Sequence, residues 1–286
     1  MPGKPEFAAG YSSEQFKRVR ATCLYVATRL GDLLDEVVIV GGLVPSLLIP
    51  QTRLPKGAER HVGTMDLDVG LALAILDQER YKTLTERLRK AGFTQDKNAE
   101  GRPTRQRWKI EGKGEAKVTV DFLIPPARRT ERGGTLRSIE KDFAALITEG
   151  LPLAFRDREK IRLSGKTLFG EKASREVWVC GPGGFVVLKA LAFRGRGEGK
   201  DAYDLFYVLR NYGKRPDQVG PRFSRLLDDP ASKAALSVLE EDFSDVDGLG
   251  PKRAVEFLRG RGVEDLPLRA AVVGFVQRFL RSLTRP

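Results

Sequence analysis

The order of apolar and polar positions predicts a chain that opens with a helix, alternates strands with helices, and ends in helices. Residues 13 to 34 follow a helical period, with Phe16, Val19, Leu24, Ala27 and Leu30 on one side and a capping signature at Ser12-Ser13-Glu14-Gln15. Val37 to Val40 is a short β-branched run. Gly41-Gly42 then interrupts it, and Leu43 to Ile49 follows with Pro45 suited to a first helical turn, so the stretch reads as strand, tight turn, helix. A second strand carries Asp66-Leu67-Asp68-Val69. Asp77 to Ala91 reads as a helix with Leu84 and Leu88 inward, ended by Gly92. Two or three strands fill Phe93 to Ile124, with Glu111-Gly112-Lys113-Gly114 as the turn between Arg105–Ile110 and Lys117–Leu123. Pro125 to Gly134 reads as an exposed basic loop with Arg128, Arg129 and Arg132. Strands are expected at 156–163 and 175–180, joined by the turn-rich SGKTLFGEKAS. At Gly181-Pro182-Gly183-Gly184 the pattern changes from strand-like to helical, which places a domain boundary there. Helices are expected at 221–228, 230–240, 250–260 and 266–282, the last with Leu268, Ala271, Val272, Phe275 and Phe279 on one side.

Three carboxylates interrupt this apolar pattern. Successive strand side chains alternate faces, so Asp66 and Asp68 share one face while Leu67 and Val69 share the other. Asp121 breaks a similar alternation of Val118, Val120 and Phe122. Aspartate is depleted in strands, and converging carboxylates suit Mg²⁺, a hard cation held by carboxylates, waters and substrate phosphates. The diglycine allows a phosphate close to backbone N–H groups. Lys189, alone in the apolar run Phe185 to Phe193, requires an anionic partner: a nucleotide phosphate, or Asp201 or Asp204 of the next helix, which the GRGEG linker can bring near. Arg105, Arg107 and Lys109 make one strand face basic, which suits a guarded edge as well as a substrate contact. Gly165-Lys166-Thr167 is not a P-loop, because Lys160 stands where that pattern needs glycine.

Composition narrows the classes. A chain of 286 residues with 41% hydrophobic residues can bury one large or two ordinary cores. Lys and Arg number 50 against 38 Asp and Glu, a net charge of +12 that favours polyanionic partners such as nucleic acid. Cys23 and Cys180 lie far apart in apolar surroundings and fit a reducing compartment. His61 is the only histidine, which excludes His-rich zinc sites and leaves Ser-His-Asp hydrolysis only if His61 is the base; it is expected near the rim of the active site. No secretory h-region is present, and Val37 to Pro50 is shorter than the about 20 residues that span a bilayer, so a soluble cytoplasmic protein with no membrane partner is expected.

The diglycine, the strand Asp-x-Asp and the third aspartate in a later strand together resemble the DNA polymerase β-like nucleotidyltransferase superfamily, on Gly41, Gly42, Asp66, Asp68 and Asp121. Lys189 to Leu205, KALAFRGRGEGKDAYDL, looks like the KxxAxxxR…RDxxDL motif of the AbiEii/MenT-type nucleotidyltransferase toxins. Lys189, Ala192, Arg196, Asp201 and Asp204 match, and Lys200 stands where that family commonly has arginine. Gly42 replaces a common serine, and the connection to Asp66 is long and basic, with Arg53, Lys56 and Arg60. The resemblance implies an α+β fold: a polymerase β-like catalytic domain with a mixed sheet over residues 1–180, followed by a helical domain over 181–286. It implies transfer of a nucleoside monophosphate (NMP) from an NTP to an acceptor hydroxyl, first of all the 3′ end of tRNA, by a toxin neutralised by a separate antitoxin. Asp66, Asp68 and Asp121 would hold Mg²⁺, or Mn²⁺ in its place. Gly41, Gly42 and Ser46 would receive the phosphates, Lys189 would offset triphosphate charge, and Asp201 would orient Lys189 or the nucleoside. A protein or small-molecule hydroxyl as acceptor, and a non-catalytic RNA-binding protein, are the alternatives.

Overall fold

The computed structural model describes residues 4–283 apart from 53, 55–57, 73–77, 99, 113–116, 129 and 214–216. Arg53, Lys56, Asp77, Lys113-Gly114 and Arg129, invoked above, lie outside the described residues.

The fold is α+β, built on a mixed sheet. Helix α1 (Ser13–Leu30) starts at the expected cap, where the Ser12 side chain accepts from the Gln15 N–H, but stops at Leu30 rather than 34. Gly31 there adopts φ +57°, and a 3₁₀ turn, Gly31–Glu36, leads into the sheet. Strand β1 (Val37–Val40) is buried along its length, and α2 (Val44–Leu48) follows a 3₁₀ turn over Gly41–Leu43. Then come β2 (Asp66–Leu71), α3 (Gln78–Lys90), β3 (Thr94–Lys97), β4 (Pro103–Ile110) and β5 (Val118–Ile124). Two strands and a short helix absent from the sequence reading come next: β6 (Leu136–Glu140), β7 (Phe143–Ile147) and α4 (Leu151–Arg156). The last hairpin is longer than expected, with β8 (Arg158–Lys166) and β9 (Lys172–Cys180) extending through most of the supposed turn.

Strand order is β3-β4-β5-β2-β1-β9-β8, with β7 pairing β5 in parallel beyond the end of β4 and β6 pairing β7. One face carries Leu67, Val69, Val120, Phe122, Trp108 and Val177, all buried, and packs under α1 and α3. Register fixes what the other face presents. Asp68 lies level with Val40 on one side and Asp121 on the other, and Arg107 is level with Asp121. The antiparallel β4–β5 pairing and the placing of Asp121 beside the Asp-x-Asp strand agree with the sequence reading; β2–β5 itself is parallel.

After Cys180 every described element is a helix: α5 (Pro182–Arg196), α6 (Gly199–Asn211), α7 (Gly220–Ser224), α8 (Pro230–Phe243), α9 (Leu249–Arg259) and α10 (Leu266–Leu283). Gly183 and Gly184 are helical rather than a linker. A Cβ on Gly183 would come within 2.8 Å of the Arg222 backbone, and one on Gly184 within 2.9 Å of the Leu153 carbonyl, so both positions serve close packing. In α10 the buried positions are Arg269, Val272, Val273, Val276 and Phe279; the stripe is rotated, leaving Leu268, Ala271 and Phe275 half-buried. Cys23 and Cys180 are buried and free, and burial pushes the Cys23 thiol up to about 12. Among the described residues no helix is long and apolar enough to cross a membrane.

Candidate active site

The β-strand period brings Asp66 and Asp68 to one face, and the parallel neighbour β5 adds Asp121 to the same face. One carboxylate oxygen from each lies within 4.8 Å of the others. They open into a cavity of about 690 Å³ also lined by Gly41, Gly42, Lys189, Lys200 and Asp204. Gly133-Gly134, Leu146 and Ile147 also line it, so the glycine end of the basic loop and the unexpected strand β7 belong to the site.

Each carboxylate has a different environment. Asp66 is buried and accepts from the Thr64 hydroxyl at 3.0 Å, and the Lys4 ammonium stands 2.6 Å from its other oxygen. Burial alone would raise its proton affinity, but Lys4 and Thr64 carry it below the ordinary carboxylate range. Asp121 is held by both arms of Arg107, at 2.8 and 2.6 Å. A carboxylate has about four lone-pair positions, so two stay open. Asp68 makes no hydrogen bond or ion pair to any described residue. Burial, and then the neighbouring charges of Asp66 and Asp121, push it up to about 7 against the pull of Lys4.

The glycines are explained by these carboxylates. Gly41 has φ +70°, and a Cβ there would lie 1.9 Å from Asp68 Oδ2. A Cβ on Gly42 would come within 2.7 Å of Thr64 Oγ1 and displace the hydroxyl that orients Asp66. That contact gives a physical reason why glycine rather than serine stands at 42.

The same cavity is lined by part of a buried charge cluster. Lys189 lies 2.8 Å from Asp201 and 2.7 Å from Asp204, so its anionic partners in this state are both aspartates of α6. Burial lowers its proton affinity, yet the two carboxylates more than offset that and hold it above the ordinary lysine range. Arg196 reaches Asp201 at 2.6 and 2.8 Å, and Lys200 reaches Asp204 at 2.5 Å. Burial keeps Lys200 below the ordinary lysine range despite Asp204.

His61 is not at the rim. Its ring is fully buried, stacked on Tyr203 and edge-on to Tyr207, with Nε2 2.8 Å from Asp204 Oδ1. The Gly63 N–H donates to Nδ1 at 3.1 Å, so Nδ1 is the acceptor and Nε2 carries the proton given to Asp204. Ser46 lies 3.1 Å from the same Nδ1 and donates to it. Ser46 is therefore buried against His61 and is not among the residues that line the cavity. Serine, histidine and aspartate stand in a row here, but with no open serine oxygen the row positions Asp204 rather than attacking a substrate.

Burial, and then the Lys200 charge, lower His61 to about 4 against an unfolded value near 6.5. The folded state thus binds fewer protons than the unfolded chain between these values, and stability falls as pH drops from 6.5 towards 4. From pH 7 to pH 5 the native protein should lose about 2 kcal/mol more than His61→Gln. Urea melts of both proteins at the two pH values measure this; parallel losses would contradict it.

Lys4 and Thr64 carried no sequence signal. Arg107 did: its parity on β4 opposite Asp121 follows from antiparallel pairing.

No protein-family model matches the chain, and no curated protein matches it. A solved structure described as an antigenic nucleotidyltransferase-like protein from Paracoccidioides brasiliensis is similar at 19% identity and a TM-score of 0.40, covering 79% of this chain and 94% of that one.

Proposed function

We propose that the protein is a metal-dependent nucleotidyltransferase that moves an NMP from an NTP to an acceptor hydroxyl. The observation that carries this reading is the convergence of Asp66, Asp68 and Asp121 on one point beside a glycine whose absent side chain leaves room for a carboxylate. Three oxygen donors, one with no partner and one already facing an ammonium, fit a hard divalent cation such as Mg²⁺. When bound, such ions offset the charge of the triphosphate and of the attacking and leaving oxygens.

The chain's own residues do the rest. Arg107 fixes the orientation of Asp121 while leaving lone pairs free towards the cavity. Gly41 and Gly42 permit close approach of phosphates to the backbone, and Lys189 and Lys200 line the same cavity and supply cationic charge, with the Lys200 ammonium 3.7 Å from where a Cβ on Gly42 would lie. Asp201 and Arg196 hold Lys189 in place, and His61 with Ser46 holds Asp204. The acceptor hydroxyl oxygen attacks the α-phosphorus and gives up its proton to solvent, the bond from that phosphorus to the bridging oxygen breaks, and pyrophosphate leaves. Residues 1–180 are the catalytic unit and 181–286 the helical unit that completes the cavity.

The acceptor is the 3′ end of tRNA, and the physiological role is that of a toxin held in check by an antitoxin protein. Support for both comes from the motif resemblance over Lys189–Leu205 and the net charge of +12. Incubating the protein with Mg²⁺, each α-labelled NTP in turn and total RNA or lysate tests the reading. Label in small RNA is expected; label only in protein or a small molecule moves the acceptor, and no label with any NTP sinks the assignment.

A further inference from the structure

The sheet face that carries the three carboxylates continues beyond them. Ile39 is level with Val179, and both belong to the opposite face, so Trp178 and Cys180 share the face of Val40, Asp68 and Asp121. Carried through the β8–β9 register, that same face holds Lys160, Arg162 and Lys166 on one strand and Lys172 on the other. These four are exposed. The hairpin thus prolongs the catalytic face past α4 as a basic ribbon.

Three features set this ribbon apart from a solvated strand edge. Lys160 and Arg158 lie over the Trp178 ring, at 4.8 and 4.1 Å, and the indole is itself anchored to Asp35, so two cations are held in fixed positions. Lys166 faces Lys172 directly across the pair, although like charges opposite each other destabilise a hairpin. Lys160, Lys166 and Lys172 have no ion-pair partner among the described residues, and only Arg162 has a nearby carboxylate, Glu176 at 3.7 Å. Edge protection needs one or two lysines, not a facing pair on the second strand. Same-face residues on a strand repeat every about 6.7 Å, which presents a line of cations to a linear polyanion.

We infer that this ribbon docks the phosphodiester backbone of the RNA whose end enters the carboxylate cavity. Naming RNA as the partner rests on the function proposed above; the existence of a polyanion-binding face does not.

The test is binding of a fluorescent RNA stem-loop with a single-stranded 3′ tail, in chelator and without NTP, so that its outcome is independent of catalysis. In the variant Lys160→Gln/Lys166→Gln/Lys172→Gln, affinity at 0.1 M salt should fall at least about tenfold, and the slope of log K against log salt should flatten by about 2 to 3. A control triple, Lys17→Gln/Arg29→Gln/Arg175→Gln, removes equal charge from the opposite face and from α1, which packs on it; it should bind nearly as the native protein does. Melting curves check folding, and Lys166→Gln/Lys172→Gln, which relieves the facing pair, gives a second reading. Equal losses in the two triples, or none in either, would overturn the docking face. Binding to phosphatidylserine vesicles but not to RNA would overturn the choice of partner.

Discussion

Replacing Asp68 with asparagine should abolish NMP transfer and, in the same molecule, raise the melting temperature in metal-free buffer. The ionised Asp68 is half-buried, has no partner among the described residues, and stands beside Asp66 and Asp121. Its folded value of about 7 lies above the unfolded carboxylate range, so the folded state binds more protons and stability is lost as pH rises towards 7. Asparagine does not carry that loss. At pH 8 the gain should be on the order of 1 to 3 kcal/mol, while transfer falls by roughly 10³-fold or more because charge stabilisation is gone from the reacting centre. Asp66→Asn should be equally inactive but less stable, because Asp66 is held in its charged form by Lys4 and Thr64. Asp121→Asn should also lose transfer with its fold intact. Turnover surviving in any folded variant would remove that residue from the site, and a lower melting temperature for Asp68→Asn would contradict the account of its charge.

The largest stability loss is expected at Asp204, a residue outside the triad. Its fully buried carboxylate faces the Lys189 ammonium at 2.7 Å, the Lys200 ammonium at 2.5 Å and the His61 Nε2–H at 2.8 Å. Asp204→Asn leaves Lys200 buried without a counter-charge and Lys189 with Asp201 alone, which should cost about 3 to 5 kcal/mol. For a chain of this size the melting temperature should fall on the order of 10 °C. Asp201→Asn should cost less, since Lys189 keeps Asp204 and half-exposed Arg196 can turn to water. Equal losses at 201 and 204 would refute this ranking. Lys189→Ala adds the functional readout. If Lys189 serves the triphosphate, NTP use fails at temperatures where the variant is still folded; if it serves only the aspartates, Lys189→Ala and Asp201→Ala lose stability alone, and the double mutant costs less than their sum.

What could be read from the sequence was whatever local periodicity encodes. The parity of Asp66 and Asp68, the alternation around Asp121, the cap at Ser12 and the turn at Gly41-Gly42 are properties of a few adjacent residues. Ser46 marks the limit of such reading: a hydroxyl four residues past the diglycine reads as a phosphate ligand, and nothing local announces its hydrogen bond to the distant His61. Residues 135–156 hid two strands and a helix because each element has only five or six residues and Lys141-Asp142 breaks the alternation between the strands. Gly183 and Gly184 read as punctuation, whereas they admit backbone from Arg222 and Leu153. Lys4 reaches Asp66 from sixty-two positions away, with nothing in its neighbourhood to announce it.

The hydrogen bond between His61 and Asp204 joins residues 143 positions apart. During synthesis the carboxylate triad is complete once β5 has left the ribosome, but the cations that share its cavity must wait for α5 and α6. A nascent chain halted near residue 180 would display three aspartates without Lys189, Lys200 or the aspartates that hold them. On the proposed function, transfer would therefore arrive late in translation, and an early-released fragment of this protein should be inert.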